Sequence, residues 1–162
     1  MSAEDVDREA KRRRRESFGP HGDPHKKYLY YCPQMKDLAK AIAAQPSHLD
    51  IQTREISWKK FPDGFPNLFV EGAESIRGKH VAFLASFNNP ETIFEQISVI
   101  YSLPKMFIAS FTLILPFFPT GTSERVERAG AVATAGTLAR TLSHGPPSRG
   151  GTGGPRRFDT HA

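Results

Sequence analysis

The sequence predicts an α/β fold, a mainly parallel sheet flanked by helices, on three observations. Short apolar runs alternate with segments of helical periodicity between residues 28 and 142. Two of those runs, 81–87 and 106–115, are apolar nearly throughout, as strands covered on both faces are. The helical segments between runs can return the chain to the start of a parallel neighbour, as βαβ units require.

Residues 28–32 are apolar and rich in aromatics, which predicts a buried strand. Met35, Leu38, Ala39, Ile42 and Ala43 then fall at helical spacing, and Pro46 marks the stop. Residues 51–58 alternate in part (Ile51, Thr53, Ile56, Trp58) and read as one strand. Residues 61–66 make a turn, where proline fixes φ and Asp63-Gly64 supplies the bend. Leu68, Phe69 and Val70 give a short strand, and Arg77-Gly78-Lys79 a second turn. The strand 81–87 follows. Asn89, Pro90 and Glu91 then read as N-cap, N1 and N2 of a helix with the stripe Ile93, Phe94, Ile97, Ile100 and Tyr101, stopped at Pro104. Residues 106–115, the most hydrophobic segment, are expected as a central parallel strand. After a loop at 119–123, Ser123 is expected to cap a helix to about Leu142, with Val126, Val132, Ala135, Ala139 and Leu142 inward; Gly130 and Gly136 each weaken it by ~1 kcal/mol relative to Ala.

The chain has 162 residues and a formal charge of +5, which suits one domain. With 38% hydrophobic and 24% charged residues, a core is affordable but not generous. One cysteine, Cys32, excludes an internal disulfide framework and a Cys-based zinc site in a single chain, and reads as a buried, inert thiol. No apolar run reaches the ~18–20 residues of a membrane-spanning helix. Glu4, Asp5, Asp7 and Glu9 argue against a secretory or organellar leader. The expectation is a cytoplasmic protein with no membrane partner.

Charge concentrates at the ends. Residues 1–27 hold eight Lys/Arg and six acids with little apolar beyond Val6 and Phe18, and read as a disordered tail. The run from Lys11 to Arg15 is also the kind of patch that binds nucleic acid or serves as a nuclear address, though its neighbouring acids cut the field. Residues 145–162 hold five Gly and three Pro, and read as a linker-like tail. No Lys follows Gly150–Gly154 as a Walker loop requires. His21, His25, His48 and His80 lack metal-ligand spacing, and His144 suits a helix end. In parallel sheets ligands bind outside the carboxyl ends of strands. The loop 117–124, with the hydroxyls of Thr120, Thr122 and Ser123 before a helix, is therefore either a phosphate site or an ordinary capped loop.

Phe61-Pro62-Asp63-Gly64-Phe65, then Ile76-Arg77-Gly78-Lys79 and Val81 to Ser86, resemble the amino-terminal half of ribose-phosphate pyrophosphokinases. The segments Phe94 to Ile100 and Leu113 to Arg125 resemble the plant, phosphate-independent class, and Phe158-Asp159-Thr160-His161-Ala162 resembles the start of the family's signature. The resemblance implies the first of two phosphoribosyltransferase-like domains, here incomplete, spanning residues 28–144. It implies transfer of the β,γ-diphosphoryl group of ATP to the C1 hydroxyl of ribose 5-phosphate with Mg²⁺, in a homo- or hetero-oligomer. ATP contacts would come from Phe61 and Asp63, on a loop lent by a neighbouring subunit, and from Ser123, Glu124 and Arg125; metal-bound phosphates would meet His161 and Asp159. Phe65 stands where the family usually has Glu. A phenyl ring stacks on adenine but accepts no hydrogen bond from its amino group, which implies looser base selectivity. Glu124 replaces the family's usual Asp, and Gly150 to Arg157 stand where a buried strand is usual. The expectation is an amino-terminal fragment that does not turn over alone. Its alternatives are a non-catalytic subunit assembling with full-length synthetase and a nucleic-acid-associated protein acting through the Arg-rich tail.

Overall fold

The computed structural model describes residues 26–119 and 128–145. Strand β1 (Lys26–Tyr31) runs through the middle of a four-stranded parallel sheet. It takes in Lys26 and Lys27, which the sequence assigned to the tail; Lys27 is half-buried, and burial lowers its pKa. Side chains alternate between faces. Tyr28, Tyr30 and Cys32 enter the larger core with Val81, Phe83, Val99 and Ile108, while Leu29 and Tyr31 enter a smaller one with Ala39 and Leu84. Helix α1 (Lys36–Ala44) contributes Ala39 to that second core.

The single strand expected over 51–58 is two. β2 (Asp50–Arg54) pairs in parallel with β1, whereas β3 (Ile56–Lys60) pairs antiparallel with β4 (Pro66–Val70) in a separate hairpin. The reason lies in the alternation itself. Ile51 and Thr53 occupy odd positions and Ile56 and Trp58 even ones, so one straight strand would point them to opposite faces. The corner falls at Glu55, whose carboxylate accepts the Tyr31 hydroxyl (3.0 Å) and lies 3.7 Å from the Lys36 ammonium.

β5 (His80–Leu84) lies beside β1, and β6 (Ser110–Ile114) beside β5, giving the order β2-β1-β5-β6. The segment 106–115 was expected at the centre; among the described residues β6 is an edge strand. Much of its hydrophobicity belongs to residues before the strand. A 3₁₀ turn (Leu103–Met106) and a left-handed Phe107 (φ 57°) carry the chain round, and Ile108 drops fully into the core. Gly78 N–H donates to the Phe107 carbonyl (2.8 Å), fixing that corner against the turn before β5.

Helix α2 (Pro90–Ser102) starts as its residues predict: the Asn89 side chain accepts from Glu91 N–H (3.0 Å) with Pro90 behind it. Its Val99 and Ile100 are buried, and Phe94 is exposed. Helix α3 (Thr134–Ser143) is much shorter than expected from Ser123. Residues 128–130 form a turn with Gly130 at φ +88°, which a right-handed helix does not contain, and the helix starts at Thr134. Ala135 and Leu142 are buried as the stripe predicts, but Val132 is 79% exposed and Ala139 is also outside; Val126 lies outside the described residues.

Tyr30 is fully buried, and its hydroxyl donates to the Glu71 carbonyl at 2.8 Å. Burial pushes its phenol up to about 12. Because the folded value lies above the ordinary 10, this contribution is fully present below pH 10 and lost as pH rises towards 12. Unfolding free energy measured in denaturant is expected to fall by about 2–3 kcal/mol across that window. Tyr30→Phe is expected to make the fall shallower; the same slope in both proteins would assign the loss to other groups.

Candidate functional site

The β3–β4 hairpin closes over residues 61–65. Gly64 N–H donates to the Phe61 carbonyl (2.9 Å) and Phe61 N–H to the Phe65 carbonyl (2.8 Å). Gly64 sits at φ +85°, the left-handed residue that a three-residue hairpin loop needs, and Pro62 fixes φ at the turn's second position. Asp63 Oδ1 accepts Phe65 N–H at 3.0 Å, so the aspartate braces the turn from inside. Phe61 and Asp63 are thus brought together at the tip, both exposed, on a loop already ordered by three hydrogen bonds and one left-handed glycine. Below the tip, Trp58 lies half-buried, its ring stacked on Phe83 (centroids 6.3 Å apart, planes at 27°), a packing role and not a base-stacking one.

The second feature is the carboxyl end of the sheet. The chain runs from β1 outward to β2 on one side and from β5 outward to β6 on the other, so the strand order reverses between β1 and β5. Open α/β sheets bind ligands at that switch point. The ladder continues past both strands there, Cys32 N–H donating to the Leu84 carbonyl (3.1 Å) and Ala85 N–H to the Ile114 carbonyl (2.9 Å). Gln96, fully buried on α2, holds the next peptide in both directions. Its Oε1 accepts Ser86 N–H (2.9 Å) and its Nε2 donates to the Ser86 carbonyl (2.7 Å). The clamp leaves Asn88 and Asn89 exposed at the sheet's end, while the Ser86 hydroxyl is buried with no hydrogen-bond partner among the described residues. Sequence reasoning missed Gln96; the signal was a polar residue flanked by Ile93, Ile97 and Ile100 on an apolar helix face. Cys32 is fully buried and burial pushes its thiol pKa up, as an inert role requires.

The remaining expected site residues fall elsewhere. Ser123, Glu124 and Arg125, Asp159 and His161, and the basic run from Lys11 to Arg15 all lie outside the described residues. Among the described residues no three His, Cys, Asp or Glu side chains gather as a metal site needs. No helix there is long and apolar enough to cross a membrane. Between β4 and α2 runs an apolar groove of about 510 Å³, with Phe65, Phe69 and Phe94 at its mouth and Val99 and Met106 deeper in. At its upper end Phe65 and Phe94 meet edge to face, centroids 5.7 Å apart and planes at 77°.

Comparison with known proteins places this architecture. Residues 28–145 match the model of the N-terminal domain of ribose phosphate pyrophosphokinase. Over 134 residues, 83% of this chain, the sequence is 64% identical to ribose-phosphate pyrophosphokinase 3, mitochondrial, of Spinacia oleracea, covering 32% of that protein. It is 57% identical over 137 residues to ribose-phosphate pyrophosphokinase 4 of Arabidopsis thaliana, covering 40% of it. The chain therefore spans about a third of the length of such relatives. The crystal structure of phosphoribosylpyrophosphate synthetase from Mycobacterium smegmatis shares the fold, with a TM-score of 0.61 at 22% identity over 75% of this chain and 40% of that one. By its residues 28–145, then, this chain belongs to the ribose-phosphate pyrophosphokinase family and carries that family's amino-terminal domain.

Proposed function

We propose that this chain supplies the nucleotide half-site of a ribose-phosphate diphosphokinase. In that reaction the C1 hydroxyl oxygen of ribose 5-phosphate attacks the β-phosphorus of ATP, the bond between the β-phosphorus and the α–β bridging oxygen breaks, and AMP leaves. Such transfer rests on positioning and charge neutralisation more than on covalent chemistry. The observation that carries the reading is the hairpin tip, a preformed loop that presents the Phe61 ring to solvent. An ordered aromatic platform receives a base without first having to be fixed, which is what makes preorganisation favour binding. Ser123, Glu124 and Arg125 belong to the same reading as phosphate-facing groups, and Asp159 and His161 as the groups that would meet Mg²⁺ carried by the nucleotide. Phe61 and Asp63 stand exposed at the tip, which suits a loop lent to a second subunit, so a homo- or hetero-oligomer is part of the proposal. So is a cytoplasmic location; the compartments in the relatives' names are those proteins' own.

Isothermal titration of the folded chain with Mg-ATP tests the reading. Saturable binding is expected, and Phe61→Ala is expected to raise Kd by roughly 5- to 100-fold, the range of a lost base–aromatic stack. Phe61 is exposed, so its removal leaves the core intact. A folded chain that takes up no nucleotide, or an alanine variant that binds as well as wild type, overturns the half-site.

A further inference from the structure

Phe65 raises a question of its own. It lies across the turn from Phe61, whose N–H donates to its carbonyl, and it is 62% exposed, the position expected of a second base-contacting ring. Its geometry points elsewhere. The Phe65 ring does not stand free at the tip; it meets Phe94 of α2 edge to face, at 5.7 Å and 77°, the arrangement that aromatic quadrupoles favour. Phe94 is itself 57% exposed and stands apart from the buried Val99 and Ile100 of the same helix. The backbone of Phe65 is equally committed. Its N–H is taken by Asp63 and its carbonyl by Phe61 N–H, so the residue that touches α2 is also the one that closes the tip. Below the pair the hairpin and helix part around the groove, and the hairpin is held on the main sheet by the Trp58–Phe83 stack and by Ile56 and Val70, both buried in the larger core.

We propose that Phe65 and Phe94 form a clasp that fixes the seat of the hairpin on α2, and so the direction in which Phe61 faces. This rests on the nucleotide reading above for its functional consequence, not for its structural content. Phe65 is then a positioning residue, acting on a bound base through Phe61 and not by contact. Base selectivity is accordingly not set at position 65, and replacing Phe65 by a hydrogen-bonding residue gains no preference for adenine.

Amide hydrogen exchange and nucleotide titration on the full chain separate the possibilities. In Phe65→Leu, Phe94→Leu and Phe65→Glu, exchange at the Phe61 and Gly64 amides is expected to quicken about 2- to 10-fold, the worth of one aromatic pair, with no change at β5. The Phe65→Leu/Phe94→Leu double variant is expected to be no faster than the faster single one, since one contact is lost only once. Mg-ATP and Mg-GTP affinities are expected to fall by one common factor in Phe65→Glu, leaving their ratio unchanged. Unaltered tip exchange in Phe94→Leu overturns the clasp. So does a Phe65→Glu variant that gains ATP over GTP with its tip exchange unchanged, because that variant would be touching the base. Coupled exchange in a wild-type chain that binds no nucleotide supports the clasp and removes the half-site reading alone.

Discussion

Gln96→Leu is expected to destabilise the chain by about 2–5 kcal/mol, out of all proportion to a change that swaps one buried side chain for another of similar size. The amide of Gln96 satisfies both the N–H and the carbonyl of Ser86, and leucine satisfies neither. Each buried backbone group left without a partner costs about 1–3 kcal/mol. Denaturant unfolding of the two proteins measures the sum. Gln96→Glu gives a sharper test of the clamp because its outcome depends on pH. A protonated carboxyl can copy the amide, accepting from Ser86 N–H and donating to the Ser86 carbonyl; a carboxylate meets that carbonyl with lone pairs. Burial and the need to donate both favour the protonated form in the folded state, so the folded pKa is raised above the ~4.3 of an unfolded Glu. Stability is then fully present below ~4.3 and is lost as pH rises through the folded value. The melting temperature of Gln96→Glu, taken relative to wild type, is expected to be close to it near pH 4 and well below it at pH 7. A deficit of the same size at both pH values would mean that the two Ser86 bonds carry little of the stability. Because Ser86 stands where the strand order reverses, the same clamp decides how the loop at the sheet's carboxyl end is presented.

Most of the sheet was legible because its signals are local. The apolar runs at β1 and β5, the Asn89 cap and the stripe of α2 need no knowledge of neighbours, and each stands where its residues put it. The misplaced elements are those decided by context. Whether β6 lies at the centre or the edge depends on which strands flank it, and hydrophobicity does not encode that order. The late start of α3 turns on one backbone angle at Gly130, and the split of 51–58 on a phase change of alternation that a count of apolar residues passes over. The site divides in the same way. Phe61, Asp63 and Gly64 are readable as turn chemistry, since proline, aspartate and glycine build the loop from within. Phe94 and Gln96 are not, because their partners lie on other elements and only the fold brings them together.

Phe83→Ala is expected to cost about 3–5 kcal/mol, the usual cost of deleting a fully buried phenyl ring together with the cavity it leaves. Phe83 sits on β5 in register with Tyr30 of β1 and Leu113 of β6, so its ring lies over the middle of the main sheet. It is also the surface on which Trp58 of the hairpin stacks. Phe83 therefore serves the core and, beside the buried Ile56 and Val70, the seating of the hairpin, and a domain stabilised by about 5–15 kcal/mol loses a large share of its margin with it. Phe83→Leu isolates the seating. It keeps an apolar group under the sheet but removes the flat partner of Trp58, the chain's one tryptophan, so that the fluorescence of the whole protein reports this contact. A red shift of Trp58 emission is expected with the far-ultraviolet dichroism unchanged, since the hairpin loosens on a sheet that persists. If the emission stays where it is while the melting temperature falls, the ring supports the sheet alone and the hairpin is seated by other contacts. A shift accompanied by faster exchange at the Phe61 and Gly64 amides would join two of the hairpin's anchors, Trp58 on the sheet and Phe65 on the helix, in a single mechanical unit. In that case the facing of Phe61 is set from the core outward, and substitutions that never touch a nucleotide change how tightly it is held.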